Sequence, residues 1–129
     1  PVAGNPVVLV EEDEEVLREF AQLILRKNGF QVVAARDGAE ALQILGGTDR
    51  TVNLIFTDIV MPRMGGADLA RRLQASHPHT PVLFTSGYPK SILAESGLDD
   101  PGLDFLQKPY TTKALLEKIR EVLSQSAGA

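Results

Sequence analysis

Three acids stand in a row at Glu11-Glu12-Asp13, a further acid at Asp58, two hydroxyls at Thr85-Ser86, and a lysine followed by proline at Lys108-Pro109. Each group closes a stretch that reads as a strand. Carboxylates crowded to about 4 Å repel by roughly 4 kcal/mol per pair at an effective dielectric near 20, so such a cluster calls for a proton, a basic partner or a cation. A hard divalent ion answers well, because Mg²⁺ takes oxygen ligands, keeps several waters and binds through one or two carboxylates plus phosphate oxygens. Asp58 can then act as a carboxylate nucleophile on phosphorus, a covalent route that needs no proton removed from the nucleophile. Lys108 would neutralise a phosphoryl oxygen as a point charge, and the Thr85 hydroxyl would donate a hydrogen bond to another.

These residues meet only if the chain alternates strands and helices. Val7 to Val10 is apolar and β-branched, as a strand covered on both faces requires. From Glu14 the period becomes helical, with Val16, Phe20, Leu23, Ile24 and Lys27 on one side, Asp13 placed to cap the start, and Asn28-Gly29 to end it. Gln31 to Ala35 is a second strand; Asp37 caps a short helix through Leu45, which Gly46-Gly47 breaks. Asn53 to Thr57 is a central strand, Met64-Gly65-Gly66 opens a helix to Ser76, Pro81 to Phe84 is a fourth strand and Asp104 to Gln107 a fifth. Between Ser86 and Leu103 only Lys90 to Ser96 could make helical turns, before Gly97, Pro101 and Gly102 interrupt. Thr111 caps a last helix carrying Leu115, Leu116, Ile119, Val122 and Leu123. Such alternation predicts an α/β fold, a doubly wound five-stranded parallel sheet flanked by five helices, with ligands outside the carboxyl ends of the strands.

Composition excludes other classes. The 129 residues, 43% of them hydrophobic, suit one domain with its own core, about residues 6 to 124, with Pro1 to Asn5 and Ser124 to Ala129 as linker stubs. Thirteen basic against seventeen acidic residues give a net charge of −4, and the basic ones are scattered, so direct nucleic-acid binding is not expected. The absence of cysteine removes thiolate nucleophiles, disulfides and Cys-type zinc sites. Apolar runs fall far short of the roughly 20 residues that span a bilayer. A nucleotide-binding doubly wound domain would place a Gly-rich turn after strand one, where this chain has acids.

Four separated blocks, Glu11-Glu12-Asp13, Thr57-Asp-Ile-Val-Met-Pro62 with Gly65-Gly66, Phe84-Thr-Ser-Gly-Tyr88 and Phe105-Leu-Gln-Lys-Pro109, resemble the receiver domain of two-component response regulators, in its order and spacing. The resemblance covers Val7 to about Leu123. It implies a sheet in the order 2-1-3-4-5, Asp58 as phosphoacceptor, Mg²⁺ (or Mn²⁺) held by Glu11, Glu12, Asp58 and the Val60 carbonyl, Thr85 and Lys108 on the phosphoryl group, and Phe105 as the switch aromatic that follows Thr85. It also implies a changed face at the fourth helix, fifth strand and last helix, and a sensor histidine kinase or histidine phosphotransfer protein as partner. The Phe84-Thr-Ser-Gly-Tyr88 block is closer to the receivers of hybrid histidine kinases. A cytoplasmic domain, free or tethered through a parent kinase, monomeric or weakly dimeric, is the corresponding expectation.

Glu12 stands where this alignment expects Asp, one methylene shorter, which bears on the octahedral geometry of Mg²⁺. It is the one feature favouring the alternative, a receiver that only docks. Val60 offers no acid or amide to orient a hydrolytic water, which predicts slow decay of the aspartyl phosphate. The same Val60 argues against a haloacid-dehalogenase-like phosphatase, which needs a second Asp there. Such a receiver catalyses only its own phosphorylation and dephosphorylation. Ser86, Tyr88 and Tyr110 have bland alternatives as loop cap, surface aromatic and packing residue, and His77 and His79 are expected in solvent.

Overall fold

The computed structural model describes residues 5–47, 51–58, 72, 75, 77–89 and 104–128. Its elements run β1 (Val7–Glu11), α1 (Glu15–Lys27), β2 (Gln31–Ala35), α2 (Gly38–Gly47), β3 (Leu54–Asp58), β4 (Val82–Ser86), β5 (Asp104–Gln107) and a last described helix, here α3 (Thr112–Gly128). The five strands form one parallel sheet in the order β2-β1-β3-β4-β5. The order reverses at β1, where neighbours cross over to opposite sides and leave a crevice at the strands' carboxyl ends. Of the helix expected over 64–76 only Arg72 and Ala75 are described, both helical, while the helix expected over 90–96, and Val60, lie outside the described residues.

Each face of the sheet carries its own core. On one face Val8, Val10, Leu54, Phe56 and Leu83 pack with Ala21, Ile24 and Leu25 of α1 and Leu115, Ile119 and Val122 of α3. On the other, Val7, Leu9 and Ile55 meet Ala41 and Leu45 of α2. The continuous apolar runs of β1 and β3 serve both cores, which is why they do not alternate.

Several boundaries differ from the sequence expectation in one direction. β1 runs on to Glu11, β3 to Asp58 and β4 to Ser86, one or two residues beyond the apolar runs. Ladder hydrogen bonds are made by backbone, so pairing continues where side-chain polarity changes. Pro81, expected in β4, precedes it, and its carbonyl accepts the Ile55 N–H at 3.0 Å. α2 runs through Gly46 and Gly47 instead of breaking there, and α3 continues to Gly128 past the expected stub. Among the described residues only Gly29 takes a positive φ, +90°, and it ends α1 as expected.

The apolar period of α1 is buried only at Ile24. Val16, Phe20 and Leu23 are exposed, at 72%, 39% and 55%, while Ala21, Ile24 and Leu25 carry the packing. Asp13 is not the N-cap either: Glu14 occupies that position without a side-chain capping bond. Asp37 and Thr111 do cap, accepting the Glu40 N–H at 2.8 Å and the Ala114 N–H at 3.0 Å.

Candidate functional site

The strand ends gather a polar rim on an apolar sheet. Glu11, Glu12, Thr57, Asp58, Thr85 and Ser86 are all buried. Asp58 pairs with Thr85 across β3 and β4, and Thr85 with Leu106 across β5, so the acid and the hydroxyl share a face and a row. Lys108, just past β5, reaches back over this row. Its ammonium donates to Glu12 Oε1 at 2.8 Å and lies 3.2 Å from Asp58 Oδ1. The backbone that presents it is pinned: the Lys108 N–H donates to the Ser86 carbonyl at 2.9 Å, and the Lys108-Pro109 bond is cis.

One ligand atom each from Glu12, Asp13 and Asp58 fall within 4.8 Å of one another, the group among the described residues able to hold a cation. The partner of Glu12 and Asp58 is therefore Asp13 and not Glu11, a correction of one residue. Glu11 is still a paired strand residue, opposite Ala35 in β2 and Thr57 in β3. Alternation then turns its side chain to the face opposite Asp58. The rim begins at Glu12, whose N–H bonds the Ala35 carbonyl at 3.0 Å. Asp13, free of capping duty, is the exposed member of the group.

Electrostatics follow from burial and crowding. Burial pushes the Asp58 carboxyl up to about 7, and the Glu12 charge adds to this, while the Lys108 ammonium pulls the other way. Glu11 is pushed up to about 8 by burial and then by the Asp58 charge. Lys108 loses by burial but gains more from its hydrogen bond to Glu12 and the charge of Asp58, which hold it above the usual lysine range. The unmodified rim thus holds more negative charge than its surroundings favour. A hard cation bound by all-oxygen donors would relieve it, and Glu12, Asp13 and Asp58 are the described residues that would hold one.

Thr85 Oγ1 is buried without a hydrogen-bond partner among the described residues, in the row of Asp58. An unbonded buried hydroxyl costs about 1–3 kcal/mol, so a ligand oxygen there would recover it. Ser86 is a loop cap, accepting the Tyr88 N–H at 3.0 Å. Tyr110 is a packing residue, its ring edge-on to Phe56 at 5.9 Å and 65°. Phe105 is half-buried and pairs with Phe84, one row back and on the face opposite Thr85. His79 is exposed and His77 only half-buried.

The family model of the response regulator receiver domain matches residues 7–120, nearly the whole chain. The chain belongs to that family. The receiver is 34% identical over 124 residues to the sensor kinase CckA of Brucella abortus, covering 96% of this chain and 13% of that protein. It is 36% identical over 121 residues to the protein PetR of Rhodobacter capsulatus, covering 94% of this chain and 50% of the relative. The chain thus spans half or less of the length of these relatives. Among solved structures, the receiver domain of the hybrid histidine kinase CckA superposes with a TM-score of 0.74 at 33% identity, over 91% of this chain and 98% of that one. Receiver domains are the modules through which two-component systems engage histidine kinases or phosphotransfer proteins, and they generally bind Mg²⁺ at an acidic pocket. No described helix of this receiver is long and apolar enough to cross a membrane.

Proposed function

We propose that this receiver is a phosphoacceptor switch in which Asp58 takes a phosphoryl group from the phosphohistidine of a sensor histidine kinase or phosphotransfer protein. The observation that carries this reading is Lys108 bridging Asp58 and Glu12 from the far edge of the rim. An Asp58 oxygen attacks phosphorus; the new O–P bond forms as the P–N bond to the donor imidazole breaks, and the electron pair leaves with that nitrogen, which is protonated from water. Lys108 favours the ionised Asp58 carboxylate against the effect of burial and then neutralises a phosphoryl oxygen. Thr85 donates its unused hydroxyl to a second one. Glu12, Asp13 and Asp58 would hold Mg²⁺, which would supply charge neutralisation of the incoming phosphoryl group. Because Asp13 completes the group, Glu12 no longer argues for a receiver that only docks.

Phe105, which pairs with Phe84 one row back from Thr85, stands where the family has its switch aromatic and would report the modification through β5 on the face formed by β5 and α3. Similarity to CckA favours a receiver that works with a hybrid kinase, on the cytoplasmic side of the membrane.

Intact mass spectra taken with Mg²⁺ and a small-molecule phosphodonor test the reading. A single phosphoryl adduct is expected on the wild type and none on Asp58→Asn; an adduct on both, or on neither, would overturn it. Decay of the adduct over minutes or longer is expected from Val60, and a half-life of seconds would contradict that expectation.

A further inference from the structure

Glu12 is tied at every polar group it has. Its N–H donates to the Ala35 carbonyl at 3.0 Å, Oε1 accepts from Lys108 at 2.8 Å, and Oε2 accepts the Glu14 N–H at 3.1 Å. The remaining group is its carbonyl oxygen, which accepts from Arg18 Nη1 at 2.9 Å. That last bond is made by a side chain of α1 reaching back six residues, past the start of its own helix. The Arg18 N–H meanwhile bonds the Glu14 carbonyl at 2.9 Å, closing the first turn. One residue therefore locks the helix start to the loop before it.

We infer that Arg18 is a positioning residue for the cation site, acting through the Glu12 carbonyl to aim Asp13. The Glu12 carbonyl belongs to the peptide plane that joins Glu12 to Asp13, so a donor on that oxygen sets the rotation of the plane and with it the direction of the Asp13 side chain. Asp13 needs this help more than its partners do. Asp58 is the last residue of a strand paired on both sides, and Glu12 is bonded at its N–H and carboxylate, whereas Asp13 is exposed and lies between β1 and α1 without a capping bond. Groups that orient a metal ligand from behind typically carry a 10–100-fold share of metal affinity.

The inference rests on the acidic group being the Mg²⁺ site, and the sign of the effect makes it testable. Arg18 is a cation near a cation site, so deletion of its charge alone would tighten Mg²⁺ binding. Loss of a positioning bond would loosen it. Mg²⁺ affinity is measured by titration calorimetry, at fixed ionic strength, on the wild type, Arg18→Met and Arg18→Lys, with circular dichroism melts of all three. Arg18→Met keeps much of the apolar stem and removes both donor and charge; the expected result is affinity weakened about tenfold, with Arg18→Lys recovering part of the loss. Affinity in Arg18→Met equal to or tighter than the wild type would overturn the inference while leaving the metal reading intact. Absence of Mg²⁺ binding by the wild type would overturn both. Should Arg18→Met not fold, Arg18→Gln is read by the same rule.

Discussion

Two successive rows on one face of the sheet make opposite demands on the chain. Val10, Phe56 and Leu83 pair across β1, β3 and β4 in an apolar row packed under α1 and α3. Two residues further along the strands, Asp58 and Thr85 pair in the same way with almost the same burial, and Glu12 and Lys108 close over them. The first row is stabilised by removal of apolar surface from water. The second buries carboxylates and leaves a hydroxyl unbonded, so it carries little stability of its own. The same backbone ladder holds both, and the inner row provides the rigidity that the outer one lacks. Function here is placed where strand pairing persists after the apolar run has ended.

The largest effect is expected from the inner row. Leu83→Ala empties a fully buried position and is expected to cost about 3 kcal/mol in urea denaturation, with phosphorylation of the remaining folded protein unchanged. A cost below about 1 kcal/mol would mean that the row is less tightly packed than its burial indicates.

Next in size is the pH response of the outer row. Asp58 and Glu11 are pushed up to about 7 and about 8, so the native state keeps protons that the unfolded chain releases near the ordinary carboxylate range. The native state then binds more protons throughout that window, and stability falls as pH rises through it, levelling above about 8. Lys108, held above its usual range, contributes stability that is lost only at still higher pH. Without divalent cations, stability is expected to drop by a few kcal/mol between about pH 6 and pH 8, and Mg²⁺ to restore it at the upper end. Chemical denaturation at the two pH values, with and without Mg²⁺, checks this, and a metal-free protein more stable at the higher value would refute it.

The smallest effect is expected within the rim. Thr57 and Thr85 both bury a hydroxyl without a partner among the described residues, on opposite faces of adjacent strands. Replacing either by Val is expected to change stability by about 1 kcal/mol or less. Only Thr85→Val is expected to slow phosphorylation, severalfold in mass-spectrometric time courses, because only its hydroxyl shares the row of Asp58. Equal slowing by Thr57→Val would remove the distinction between the faces.

Much of this was legible in the residues themselves. Apolar runs at β1 and β3 announced a sheet covered on both faces, Asp37 and Thr111 announced two helix starts, and Asp58, Thr85 and Lys108 were marked as a group by type and position. These are local signals, written in side-chain chemistry and in short-range capping bonds. Which face a residue takes was less legible. Glu11 was taken for a rim residue because its side chain is acidic, yet its backbone is still in the ladder, and the polar character of a side chain does not end strand pairing. The helical period of α1 named Val16, Phe20 and Leu23 together with Ile24, yet of these only Ile24 packs on the sheet, beside Ala21 and Leu25. The sequence by itself determined the family and the strand order expected of it, and marked Asp58 as the proposed phosphoacceptor. Only the tertiary structure decided that Asp13 joins Glu12 and Asp58, and that Arg18 stands behind them, because face and direction depend on where pairing stops and on which neighbour a helix meets.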